Sequence, residues 1–181
     1  MCSSDLLVER LITIGCVSNE VGGDYIGTAR WTGVPLRDLL DEAGIAEGAQ
    51  QVFSTSEDGW TCGFPVESAM DGRDALVVLA MNGQPLPPEH GFPVRLVVPG
   101  LYGYVSATKW LRRITLTTWE DEGYWIPRGW ARDAPVKTQS RIGVPTDGAA
   151  LEAGPTTIAG VAWAMQRGID AVEVRIDGGD W

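Results

Sequence analysis

A cysteine, Cys16, closes the apolar run ITIG and opens a polar stretch that ends at Gly22 and Gly23. A structural thiol ordinarily lies inside an apolar run, flanked on both sides by residues that share its pocket. Cys16 stands where an apolar run gives way to a mostly polar loop, and three chemistries suit it: small core filler, nucleophile, or soft metal ligand. The single histidine, His90, sits in PPEHGFPVRLVVPG. One histidine removes bis-histidine haem and His-cluster metal sites. In the same stretch Arg95 interrupts an otherwise apolar strand, and a guanidinium buried there needs an anion or a carboxylate. Lys109 stands just ahead of WLRRI, at the start of another strand. Convergence of His90, Arg95 and Lys109 on one anionic ligand is a chemistry this spacing allows. A turn histidine and two surface cations account for the same residues without any ligand.

Composition narrows the choice. The chain carries 24 acidic against 14 basic residues, a formal charge of -10, so a surface for nucleic acid is not expected. Three cysteines, Cys2, Cys16 and Cys62, stand too far apart for a CxxC pair or a disulfide framework. The acidic runs DEAGIAEG and WEDEGYW read as solvated faces rather than paired catalytic carboxylates. No apolar run reaches the roughly 18 residues of a spanning helix.

The elements that must position these residues are legible in outline. Leu11 to Ile14 reads as a strand and Trp31 to Val34 as an extended lead into a helix. That helix spaces Leu36, Leu39, Leu40 and Ala43 on one face between Pro35 and Gly44. QQVFSTSEDGWTCGFPVESAMD predicts a strand, a turn at Glu57-Asp58-Gly59, a second strand and a short helical turn. Ala75 to Met81 and Pro93 to Val98 are apolar runs joined by a Pro- and Gly-rich loop, and Leu111 to Leu116 alternates as a strand. Mixed strands and helices of this kind predict an α+β domain over residues 1–130. From residue 134 to 181 helical periodicity disappears, and TTIAGVAWAM and AVEVRIDGG read as strands of a β-sandwich that turns at Gly178-Gly179. Both ends read as interior to a larger protein.

The phrases CVSNEVGG, GTARWTGVPLRDLLDEAG, MNGQPLPPEHGFPVRLVVPGLYGYVSATKWLRRI and KTQSRIGVP together resemble the sulfite oxidase family of molybdopterin-dependent oxidoreductases, in particular its bacterial membrane-associated members. The resemblance runs from about Leu11 to the end. It implies a sulfite-oxidase-type molybdopterin-binding domain, N-terminally incomplete here, followed by the start of an immunoglobulin-like dimerisation domain. It implies a molybdenum-molybdopterin cofactor, a homodimer, a separate electron-transfer partner, and a periplasmic or membrane-associated setting.

By the same resemblance Cys16 matches the cysteine whose thiolate ligates molybdenum, and His90 and Arg95 match residues that hold the pterin and its phosphate. Ala107, Thr108 and Lys109 match the next cofactor contact, Asp58 in the Glu57-Asp58 turn the acidic pterin contact, and Tyr124 the active-site tyrosine. Where sulfite oxidases follow Asn with Arg, Asn19 is followed here by Glu20, which argues against sulfite as substrate. The expected function is molybdenum-dependent oxygen-atom transfer on a small substrate. The alternative is a non-catalytic remnant that keeps the fold as a dimerisation or binding module.

Overall fold

The computed structural model describes residues 6–20, 22–165 and 167–181; Cys2 lies outside them. The chain divides into two compact units, Met1–Pro135 and Val136–Trp181. The first unit opens with β1 (Val8–Gly15) and β2 (Ile26–Pro35), an antiparallel pair that sets Gly15 opposite Ile26. β2 runs straight into α1 (Leu36–Ala43). Pro35 fixes the helix start, and Gly44 at φ 79° ends it by returning its N–H to the Leu40 carbonyl. The expected apolar face is the buried one, at Leu36 and Leu40.

β3 (Gln51–Ser56) and β4 (Thr61–Pro65) form a hairpin, followed by α2 (Val66–Met70). Next come β5 (Leu76–Met81), the two-residue β6 (Gln84–Pro85), β7 (Arg95–Val97), α3 (Gly103–Ser106) and β8 (Leu111–Thr117). β5 is the hub of the larger sheet, with β2 on one side and β6 and β7 sharing the other. A second sheet has the order β4-β3-β8, and both sheets are antiparallel throughout.

Side-chain alternation then builds two cores. On β7, Leu96 faces a core with Leu36, Val52, Phe64 and Val98, while Val97 faces another with Ile12, Trp31, Leu76 and Val78. Arg95 shares a buried strand with these two residues. Gly33 is required where β2 meets β5, since a Cβ there would stand 2.2 Å from the Val77 carbonyl oxygen.

In the second unit, β9 (Gln139–Val144) pairs antiparallel with β10 (Ala159–Trp163) across an irregularity at Ala159/Gly160. The strand expected within AVEVRIDGG does not form. A strand exists only by pairing, and no described segment pairs with residues 171–176, whose Val172 and Val174 are exposed. Its turn does form, with Asp177 and Gly178 both at positive φ and the Gly179 N–H on the Ile176 carbonyl.

Candidate cofactor site

Cys16 leaves the end of β1 with its N–H still donating to the Tyr25 carbonyl, so the thiol stands at the point where the β1–β2 pair opens into a loop. The side chain is exposed, and the Ser18 N–H approaches its Sγ at 3.4 Å. Asn19 ties the loop shut: its Oδ1 accepts from the Tyr25 N–H at 2.7 Å and its Nδ2 donates to the Glu20 carbonyl. A thiol held at a rigid strand end, open to solvent, is no core filler.

Cys16 faces a cavity of about 470 Å³ whose walls also include Ile14, Trp31, Met81, His90 and Tyr104. Cys16 and His90 thus line one cavity, although 74 positions separate them in the sequence. His90 ends a 3-10 turn, Pro88–His90, and this turn is fixed from outside. Each of its three carbonyls accepts a side-chain donor. Trp110 Nε1 reaches Pro88 at 2.9 Å, Lys109 Nζ reaches Glu89 at 3.0 Å, and Arg95 Nη1 reaches His90 at 3.0 Å.

Arg95 is the anchor of this arrangement. It is 4% exposed, its Nη2 donates to the Ala107 carbonyl, and its guanidinium lies 5.1 Å from the Trp31 ring centre. Among the described residues it has no carboxylate partner, and its Nε is buried without a hydrogen bond. Desolvation lowers its pKa to about 10. Within the chain the buried guanidinium meets two carbonyls and an indole face. Lys109 packs its ammonium 4.4 Å from the Trp110 ring centre. Gly91, at φ 105°, lets the turn approach this segment; a Cβ there would lie 2.9 Å from the Lys109 Cβ.

Thr108 is fully buried, and its Oγ1 is shared with Ser54 Oγ at 2.6 Å and Cys62 Sγ at 3.2 Å. The hydroxyl points into the β3–β4 hairpin, and the Thr108 carbonyl accepts from the Leu96 N–H at 2.8 Å. Burial pushes the Cys62 thiol up to about 11. Asp58 lies on the exposed β3–β4 turn, where the Trp60 N–H and Ser56 hydroxyl, and more weakly Lys109, lower its pKa. The neighbouring Glu57 N–H bonds the Trp110 carbonyl, which brings this turn beside Lys109.

Tyr124 does not join them. Its N–H is bonded to the Thr61 carbonyl, Arg128 stacks 3.7 Å from its ring centre, and it is absent from the walls of the Cys16 cavity. Tyr104, Tyr25 and Asp24 do line that cavity and were not anticipated. The signal for them was adjacency: GGDYIG follows the Cys16 loop, and GYVSATK precedes Lys109.

The donor set fits a molybdenum-pterin group. Cys16 offers one soft sulfur donor, and no group of three His, Cys, Asp or Glu gathers among the described residues, which suits a metal whose other ligands come with its cofactor. The unpaired buried guanidinium, with an orphaned Nε, is matched to a bound anion such as a pterin phosphate.

Comparison with known proteins agrees. Residues 5–125 match the oxidoreductase molybdopterin binding domain. Mouse mitochondrial sulfite oxidase is 36% identical over 94% of this chain and 39% of its own length. Spinach NADH nitrate reductase is 36% identical over 69% of this chain and 15% of its own. The sulfane dehydrogenase SoxCD from Paracoccus pantotrophus superposes with a TM-score of 0.67 at 27% identity, covering 88% of this chain and 48% of that one. The chain thus spans well under two thirds of these relatives. It belongs to the sulfite oxidase family of molybdopterin oxidoreductases, and its cofactor is the molybdenum cofactor.

Proposed function

We propose that this chain forms the molybdenum-binding part of an oxidoreductase that transfers an oxygen atom on a small substrate and passes electrons to a separate acceptor. In the oxidising direction the substrate gains an oxygen from water, and two protons and two electrons leave; the reducing direction is the reverse. The bound cofactor supplies this two-electron, oxygen-exchanging chemistry. The observation that carries the reading is that the Cys16 thiol and His90 wall one cavity, with the His90 turn pinned by Arg95, Lys109 and Trp110.

The protein's own part is positioning and charge. Cys16 presents a soft thiolate ligand from a rigid strand end. Arg95 and Lys109 provide the positive charge for the cofactor phosphate, and His90 contacts the pterin from its fixed turn. Ala107 and Thr108 contribute main-chain contacts, and Asp58 an acidic one. Homodimer formation through the second unit and an external electron-transfer partner complete the proposal.

Elemental analysis tests it. Full-length protein from a cofactor-competent host should carry close to one molybdenum per chain. Cys16→Ser should abolish turnover while leaving the fold and most of the pterin in place. A metal-free wild-type protein from that host would sink the reading.

A further inference from the structure

Building on the reading that Cys16 ligates the cofactor metal, we propose that Tyr104 contacts the cofactor at its Cys16 end, and that Trp130 is the positioning residue that holds the Tyr104 ring there. Tyr104 lies in α3, one residue after Gly103, and both wall the cavity of Cys16. A Cβ at Gly103 would lie 3.7 Å from the carbonyl oxygen of Gly15, the residue before Cys16. The start of α3 is thus packed beside the strand end that presents the thiol.

On its other side Tyr104 meets a strap, residues 118–131, none of which walls the cavity. There Tyr104 shares a crevice of only about 10 Å³ with Gly123, Trp125 and Ile126, so it stands as the partition between cavity and strap. The strap is fixed at both ends. At its start the buried Gln51 donates from Nε2 to the Thr118 and Asp121 carbonyls, at 2.5 and 2.8 Å, and the Tyr124 N–H reaches the Thr61 carbonyl. Just past its end the Ala134 carbonyl accepts from the Tyr102 N–H at 2.8 Å. Between these anchors Trp130 packs against Trp125 with ring centres 4.8 Å apart, and meets the Tyr104 ring in a T-shaped contact at 5.0 Å and 67°.

The Tyr104 hydroxyl donates to the Ala131 carbonyl at 2.8 Å, on the strap side. With the hydroxyl committed there, what Tyr104 offers the cofactor is its ring. An aromatic ring edge packs favourably against polarisable sulfur, and Cys16 supplies one such sulfur at this end of the site.

Full-length protein from a cofactor-competent host provides the test. Tyr104→Leu and Trp130→Leu should each lower molybdenum content about tenfold, equivalent to about 1.4 kcal/mol, and shift the visible absorption of the bound cofactor. Trp130→Phe, which keeps a ring, should recover most of both. The double variant should lose no more than Tyr104→Leu alone, because Trp130 acts through the Tyr104 ring. Losses that add in the double variant overturn the proposal, as does a Trp130→Leu protein that melts lower yet keeps its molybdenum and its absorption. If Trp130→Leu fails to fold, Trp130→Met takes its place with the same expected outcomes. A second measurement needs no metal: bimane attached to Cys16 of cofactor-free protein, in a Cys2→Ser background, should brighten when Tyr104→Leu removes the quenching phenol. Unchanged fluorescence overturns the placement of Tyr104. Wild-type protein that takes up no molybdenum overturns the cofactor reading instead; elemental analysis identifies that outcome, and the bimane signal still reports where Tyr104 stands.

Discussion

Arg95 donates from Nη1 to the carbonyl of His90 at 3.0 Å, so the one charged residue buried among the described residues is tied to the backbone of the chain's one histidine. This bond ties the proposed anion-holding residue to the cavity wall. Arg95→Met should leave the His90 and Ala107 carbonyls unsatisfied, at roughly 1–3 kcal/mol each, offset by relief of an unpaired buried charge. The apoprotein should therefore stay folded, with stability within about 2 kcal/mol of wild type. Cofactor content should fall at least about tenfold, and Arg95→Lys should be intermediate because one ammonium cannot span both carbonyls. Pterin fluorescence after oxidative release measures the first effect and urea unfolding the second.

The same burial gives an alkaline signature. Arg95 has its folded pKa lowered to about 10, so above that pH the folded state binds fewer protons than the unfolded one. Stability of the cofactor-free protein should then gain from this group as pH rises above 10 toward the ordinary arginine range, and the burial penalty should be present below it. Between pH 9 and 11 the urea midpoint of wild type should rise relative to that of Arg95→Met. A bound anion should raise the Arg95 pKa and remove that relative rise.

On the acid side the β3–β4 turn should respond. The Trp60 N–H lowers the Asp58 pKa first, with the Ser56 hydroxyl next. A carboxylate with a depressed folded pKa stabilises above its ordinary value and loses that contribution as pH falls through the folded one. Asp58→Asn should flatten the acid limb of the stability profile below about pH 4 and reduce cofactor loading. Thermal melts across pH 2.5–6 read the first effect.

The two described cysteines should separate cleanly. Cys62 is buried against Ser54 and Thr108 with its pKa pushed up to about 11, whereas Cys16 is exposed. In a Cys2→Ser background, a disulfide reagent at pH 8 should titrate one thiol in the native cofactor-free protein and two after denaturation. Cys62→Ser should keep activity. A second native thiol reacting at the rate of the first would contradict the buried placement.

Gly91 should tolerate no side chain. Its φ of 105° and the 2.9 Å from a Cβ position to the Lys109 Cβ mean that Gly91→Ala must displace either the turn or Lys109. The expected cost is about 1–3 kcal/mol in stability, with cofactor content falling as well, read by melting temperature and metal analysis.

Much of this fold was legible because its signals are local. Pro35, the Leu36 and Leu40 spacing and Gly44 define α1 with no help from elsewhere, and turn residues mark the β3–β4 hairpin. The burial of Arg95 was legible too, from one charge among apolar neighbours. What answers that charge was not, because the His90 and Ala107 carbonyls and the Trp31 face come together only through sheet pairing. The hydroxyl of Thr108 was hidden for the same reason: its partners Ser54 and Cys62 lie 54 and 46 positions away. Asp24 and Tyr104 carry no pattern of their own and become cavity residues only once β2 and α3 are in place.

The external fastening of Pro88–His90 also makes its shape depend on distant parts of the chain. Within the turn the main chain closes only the short bonds of its tight coil, such as the Gly91 N–H to the Pro88 carbonyl. Its outward carbonyls wait for Trp110 and Lys109, residues about 20 positions further along the chain. The turn that carries His90 therefore reaches its final form only with the tertiary contacts of this unit.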